Sequence, residues 1–235
     1  MSPKVSERSA SPPLTVHDDN YKIKIFHSTF NLITHILIGV VVGISVIFSF
    51  RNGTPLGATP LHIVLCVVGY QLLMAEAILS LSPHNGWSSN LKLVDKRRAH
   101  WILQTLGSGL AIVGSFIKII DKSTHLNTLH GKFAIAALVF TTVSLINGLG
   151  SLWAFELRRY IPINVSKLIH IGIGIFVLPT SSIALCYGFD KSMFKSWISD
   201  EVAFTLIGCT SAFTVIISFN SFTTFHVKLW KCFKS

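Results

Sequence analysis

Charge is what this sequence has least of. Only 13% of its 235 residues are Asp, Glu, Lys or Arg, against 50% that are apolar, too few to cover the surface of an ordinary soluble domain of this size. Acids are the scarcer sign, 10 against 20 Lys and Arg. Cysteine is sparse too. Of Cys66, Cys186, Cys209 and Cys232, three fall inside apolar runs, so no disulfide framework is suggested and no C-x-x-C-H attachment string exists. The H-E-x-x-H, P-loop, G-x-S-x-G and dinucleotide fingerprints are absent as well. That removes zincin, nucleotide-hydrolysing, α/β-hydrolase and flavin or nicotinamide modules from consideration.

Long apolar runs are what the chain does have. Six of them, near 28–50, 60–81, 99–120, 130–152, 168–188 and 202–224, can each cross a hydrocarbon core of roughly 30 Å, which takes about 20 helical residues. They lack the dyad alternation of a barrel, so the spans are helices: in lipid every backbone group must be paired internally. The fold class predicted is an all-α membrane protein of six transmembrane helices, with spans two to five forming a central four-helix bundle. Residues 1–24 are polar and Pro/Ser-rich at their start, and read as a disordered cytosolic tail rather than a cleaved signal peptide. Residues 25–228 form the membrane domain, and 229–235 a second cytosolic tail.

The basic excess follows the spans. Lys4, Arg8, Lys22 and Lys24, then Lys92, Lys96, Arg97 and Arg98, then Arg158, Arg159 and Lys167, and finally Lys228, Lys231 and Lys234 fall on one side. Arg51, Lys118, Lys122, Lys132, Lys191 and Lys195 fall on the other. This bias puts both termini in the cytosol. It also accounts for the net charge of +10 without a nucleic-acid partner.

Four of the ten histidines recur at one relative position: His62, His100, His130 and His170 each open an apolar run. Successive spans alternate in direction, so His62 and His130 share the non-cytosolic side while His100 and His170 share the cytosolic side. Imidazole in hydrocarbon is costly without a partner. The spacing repeats: 38 residues from His62 to His100 and 40 from His130 to His170, as in two copies of one hairpin. Matched pairs at two depths suggest two metal centres, and neutral imidazole is a good axial ligand for haem iron. Without an attachment string such haems are b-type, two per chain and non-covalent. Zinc is the rival metal, but it usually takes three or four protein ligands.

Other intramembrane residues admit several roles. At about 100° per residue, Gly107 and Gly114 lie within about 40° of the His100 face. They either leave room for a flat macrocycle or let helices pack closely. Glu76 lies 14 residues past His62, within about 40° of its face by the same count. It reads as a second partner to a metal ligand, a proton acceptor, or a group at the helix end reaching water. His35, outside the repeat, is assigned to supporting a ligand residue or to helix packing. Lys96, Arg97 and Arg98, just before span three, either set topology or bind an anionic substrate.

The six spans, the four histidines and the strings LMAEAILSLSP, AHWILQ, LHGK and KLIHIGIG resemble the cytochrome b561 family, most closely its subgroup of cytochrome b561 domain-containing proteins, over about residues 25 to 230. The resemblance implies that His62 with His130 ligates a non-cytosolic haem b, and His100 with His170 a cytosolic one. It implies a transmembrane oxidoreductase that carries electrons from cytosolic ascorbate to monodehydroascorbate or ferric iron on the far side. Lys96, Arg97 and Arg98 stand where the family keeps basic residues near an ascorbate site. An endoplasmic reticulum or vesicle membrane and a homodimeric state also belong to this resemblance. Two other classes fit the residues taken alone: a divalent-metal transporter using the histidines, and a haem-binding sensor or subunit.

Overall fold

The computed structural model describes residues 14–152 and 163–234. Lys4, Arg8, Arg158, Arg159 and Pro162 lie outside them. All regular structure among the described residues is helical. The spans are Tyr21–Phe50, Ala58–Leu79, Leu93–Asp121, Leu129–Leu152, Val165–Phe189 and Asp200–Trp230, numbered one to six below. A short helix, Ser192–Ile198, links spans five and six. Six antiparallel crossings bring the start of the first helix and the end of the last to one face of the bundle, called here the termini face; the opposite side is the far face.

The two outer helices run on past their apolar runs. The first begins at Leu14, inside the stretch expected to be a disordered tail, and the last continues to Lys234, within the stretch 229–235 expected to be a tail. The reason is local. No proline or glycine stands between Pro13 and Gly39 or after Gly208, so nothing breaks either helix where its hydrophobic character ends.

Polar residues within the spans mostly satisfy themselves. Thr34, Ser45, Thr141 and Thr210 each donate to the carbonyl four residues back, at 2.8, 2.7, 2.7 and 2.8 Å. This removes an unpaired hydroxyl from lipid or core. Pro179 sits within span five, and beside that break in the helical ladder the Thr180 hydroxyl donates to the Phe176 carbonyl at 2.6 Å.

Two apolar clusters organise the packing. Tyr70, Met74, Ala111, Ala137 and Val177, drawn from spans two, three, four and five, fill the middle of the four-helix bundle. A larger cluster joins Ile38, Val41 and Phe48 of span one to Val67 and Leu79 of span two, Leu178 of span five, and Leu206, Phe213 and Ile217 of span six. Spans one and six therefore buttress one side of the bundle.

Span two is not a plain α-helix. Val67–Met74 is π-helical, at about 4.4 residues per turn in place of 3.6. Its wider turns hold more residues than the 3.6 of an α-helix, so residues after Met74 are rotated away from where an α-helical count puts them.

Candidate functional site

The four repeated histidines come together as two pairs. His62 and His130 have ring centroids 6.3 Å apart and planes at 85°; His100 and His170 have 6.3 Å and 83°. The pairs lie at opposite ends of the bundle. Ala77, beside His100, is 15 residues beyond His62 on span two, or roughly 20 Å of helix.

Each ring is braced in the same way. His62 Nδ1 donates to the Gly114 carbonyl at 2.9 Å and His100 Nδ1 to the Ala77 carbonyl at 2.8 Å, which cross-links spans two and three at both ends. His130 Nδ1 donates to the Ala184 carbonyl at 2.7 Å and His170 Nδ1 to the Ser144 carbonyl at 3.2 Å, which does the same for spans four and five. A carbonyl only accepts, so Nδ1 carries the hydrogen and Nε2 keeps a lone pair. That is how a protein fixes the tautomer and aim of a metal-binding histidine.

These pairs fit one haem iron each. Two imidazoles bound end-on to one ion at about 2 Å, each ring centre about 3 Å from it, stand about 6 Å apart, close to the spacing found in both. Among the described residues, no group of three or more His, Cys, Asp or Glu side chains is placed to hold a metal ion. Two imidazole donors per site are too few for a tetrahedral zinc site, which takes three or four protein ligands, and suit a tetrapyrrole that would supply the remaining donors itself.

The glycines divide differently from the helical-wheel reading. Gly107 and Gly114 face span two: a Cβ at Gly107 would meet the Gly69 carbonyl oxygen at 2.8 Å, and one at Gly114 would meet Leu65 Cβ at 2.8 Å. Between room for a macrocycle and close helix packing, these contacts choose packing, because spans two and three touch backbone to backbone here. Gly114 still serves the site, through its carbonyl on His62. The glycines beside the paired imidazole rings are Gly148, where a Cβ would stand 3.0 Å from His170 Cε1, and Gly188, at 3.7 Å from His130 Cε1. Sequence reasoning missed both, since the clearance they give is to a ring on a neighbouring helix.

Glu76 does not share the face of His62. The π-helical stretch turns it toward span one, where His35 Nδ1 lies 2.6 Å from Glu76 Oε1. His35 Nε2 is 2.8 Å from Asn85 Oδ1, and Trp87 Nε1 donates to Glu76 Oε2 at 2.9 Å. Thus two residues read separately form one hydrogen-bonded pair, joined by two loop residues that the sequence did not single out.

The three basic residues before span three also part company. Lys96 is buried, 7% exposed, with Nζ donating to the Ser82 carbonyl at 3.1 Å. Arg98 pairs with Asp95 at 3.1 Å, and Arg97 is exposed. Lys96→Met is expected to lower stability by about 1–3 kcal/mol, because it strands the Ser82 carbonyl. Arg97→Ala is expected to stay within about 0.5 kcal/mol. Thermal unfolding in detergent separates the two.

On the far face, Lys118 lies near His62, and Lys191 and Lys122 lie near His130. Lys118 donates to Thr59 Oγ1 and Asp121 Oδ2, each at 2.6 Å. Burial, then Lys122 and Lys118 nearby, shift the Lys191 pKa below the ordinary lysine value. A cationic rim of this kind favours an anion over a free metal cation.

Comparison with known proteins agrees with this architecture. The family model for eukaryotic cytochrome b561 matches residues 61–195, a stretch containing all four paired histidines. A mouse protein named transmembrane reductase CYB561D2 is 30% identical over 145 residues, 60% of this chain and 63% of the relative, a little under two thirds of that protein's length. Bovine and human proteins of the same name are each 27% identical over 160 residues, 66% of this chain and 72% of theirs. With more than half of its length matched by the family model, the chain belongs to the eukaryotic cytochrome b561 family.

Proposed function

We propose that this protein is a transmembrane oxidoreductase holding two b haems, one on each histidine pair, and that it moves electrons one at a time from cytosolic ascorbate to an acceptor across the membrane, monodehydroascorbate or ferric iron in a chelate. The carrying observation is the pair of matched sites, each with two rings 6.3 Å apart and near-perpendicular, at opposite ends of one bundle. The curated relatives named transmembrane reductase support the class of reaction. When bound, haem b supplies an iron that gains and loses one electron.

The chain's own residues do the rest. The carbonyls of Gly114, Ala77, Ala184 and Ser144 hold the four rings in one tautomer and orientation, so little reorganisation accompanies a change of charge. Tyr70, Met74, Ala111, Ala137 and Val177 keep water out of the layer between the sites. An apolar layer of this kind passes electrons but gives no path to a hydrated cation, which weighs against metal transport. The termini face, with Arg97 and Arg98 exposed, is the proposed cytosolic side and meets the anionic reductant. Lys118, Lys122 and Lys191 rim the acceptor side. An endoplasmic reticulum or vesicle membrane is the proposed setting.

The test is reconstitution. Vesicles containing the purified protein and loaded with ascorbate are expected to reduce an external ferric chelate, while empty vesicles loaded alike do not. Haem-replete protein that transfers nothing, either to the chelate or to external monodehydroascorbate, would overturn the reading.

A further inference from the structure

The His35–Glu76 pair lies outside the four-histidine repeat, and electron transfer between two haems leaves it without a task. Its hydrogen bonds can be followed one donor at a time. Ser88 Oγ donates to the Ser80 carbonyl at 2.9 Å, so it must accept from Asn85 Nδ2, 2.7 Å away. Asn85 therefore turns Oδ1 toward His35 Nε2 at 2.8 Å, and that nitrogen must carry a hydrogen. Nδ1 faces the Glu76 carboxyl at 2.6 Å, a contact made only with a proton between the two atoms. The pair thus holds one proton more than a neutral imidazole beside a carboxylate.

Three further features bear on what that proton is for. Glu76 adjoins Ala77, whose carbonyl takes the Nδ1–H of His100, so the pair sits one residue from the brace of the termini-face site. It is not sealed: the side chains of His35 and Glu76 are 25% and 18% exposed, beneath a Trp87 that is 48% exposed. The π-helical winding of Val67–Met74 is what aims Glu76 at His35, and such winding is concentrated at functional sites.

We infer that the His35–Glu76 pair is the proton-accepting group of the termini-face centre, gaining a proton when an electron enters that centre and releasing it when the electron leaves. The inference rests on the di-haem reading above. With the proton the pair is electrically neutral; without it, one negative charge remains. An electron arriving nearby favours the neutral form, and the proton in turn favours the electron. The step balances: a reductant of the enediol class, arriving as its monoanion, gives one electron to the centre and its remaining hydroxyl proton to the pair, and departs as its radical anion. His35 and Glu76 are positioning residues here, acting on the centre through charge. The elements packed against the pair carry further titratable or charged groups at their termini-face ends: Lys24 and His27 on span one, His84 in the loop after span two, Lys96 and His100 on span three, and His226 and Lys228 on span six.

The experiment is a spectroelectrochemical titration of the purified, haem-loaded protein between about pH 5.5 and pH 8.5, the range where a histidine-based site changes charge. Two redox steps are expected, the one missing from His100→Ala belonging to the termini face. In the unaltered protein that step is expected to shift to lower potential as pH rises, while the far-face step stays level. Glu76→Gln and His35→Gln are expected to lose the slope and keep both haems. No slope in the unaltered protein, equal slopes for both steps, or a slope that survives in both variants would overturn the inference. If neither variant folds, the two slopes of the unaltered protein decide. Failure of the di-haem reading shows separately, as missing haem before any titration begins.

Discussion

On the proposed di-haem reading, His130→Ala is expected to lose one of the two haems. His130 and His62 meet across the bundle at 6.3 Å, with no third donor group among the described residues, so deletion of one ring leaves a site with a single protein ligand. Loss of a mere hydrogen-bond partner of a ligand already costs about 10–100-fold in metal affinity, and removing the ligand itself costs more. The haem-to-protein ratio is expected to fall by about half. The remaining centre, on His100 and His170, is expected to keep its low-spin spectrum and its reduction by ascorbate, because those rings are braced independently by Ala77 and Ser144. Transfer across vesicles is expected to stop, since the far-face relay is missing. His84→Ala, outside both pairs, should keep both haems. Two intact haems in His130→Ala would remove the fourth-span histidine from the ligand set.

The second large effect is structural. Gly107→Leu is expected to destabilise the protein by about 1–3 kcal/mol or more, the usual cost of overpacking. A Cβ at Gly107 would stand 2.8 Å from the Gly69 carbonyl oxygen and 3.0 Å from Met74 Cγ. The first of these is main chain and has no rotamer to escape into, so spans two and three must part. The damage should reach both sites at once. The bonds from His100 to Ala77 and from His62 to Gly114 cross the same interface on either side of Gly107, and separation stretches both. Gly43→Leu is the control: a Cβ there meets nothing within 4 Å, and its unfolding temperature should barely move. Thermal unfolding followed by the haem band measures both variants, and equal behaviour would show that the close approach does not matter.

Much of this protein is legible in one dimension because lipid leaves so few choices. The six runs could only be helices, their alternation placed His62 with His130 and His100 with His170, and no distance was needed. The chemistry around those histidines was less legible. Four backbone carbonyls brace the rings, and a carbonyl carries no residue-type signal. Gly148 and Gly188 clear space for rings on other helices, so their own helical wheels could not reveal it. Lys96 reads as a topology determinant or an anion-binding residue in the string DKRRAH, yet it is buried, with its Nζ on the carbonyl of Ser82 in the preceding loop.

Composition and periodicity, then, determined the membrane class, the number of spans and the depth of each histidine, since the hydrophobic effect acts on every residue alike and needs no partner. Tertiary structure alone decided which groups touch. The clearest case is Glu76: a regular α-helical count puts it on the face of His62, while eight residues of π-helix swing it round to His35. Winding that departs from 3.6 residues per turn is settled by packing between helices, and no single helix carries that information in its own sequence.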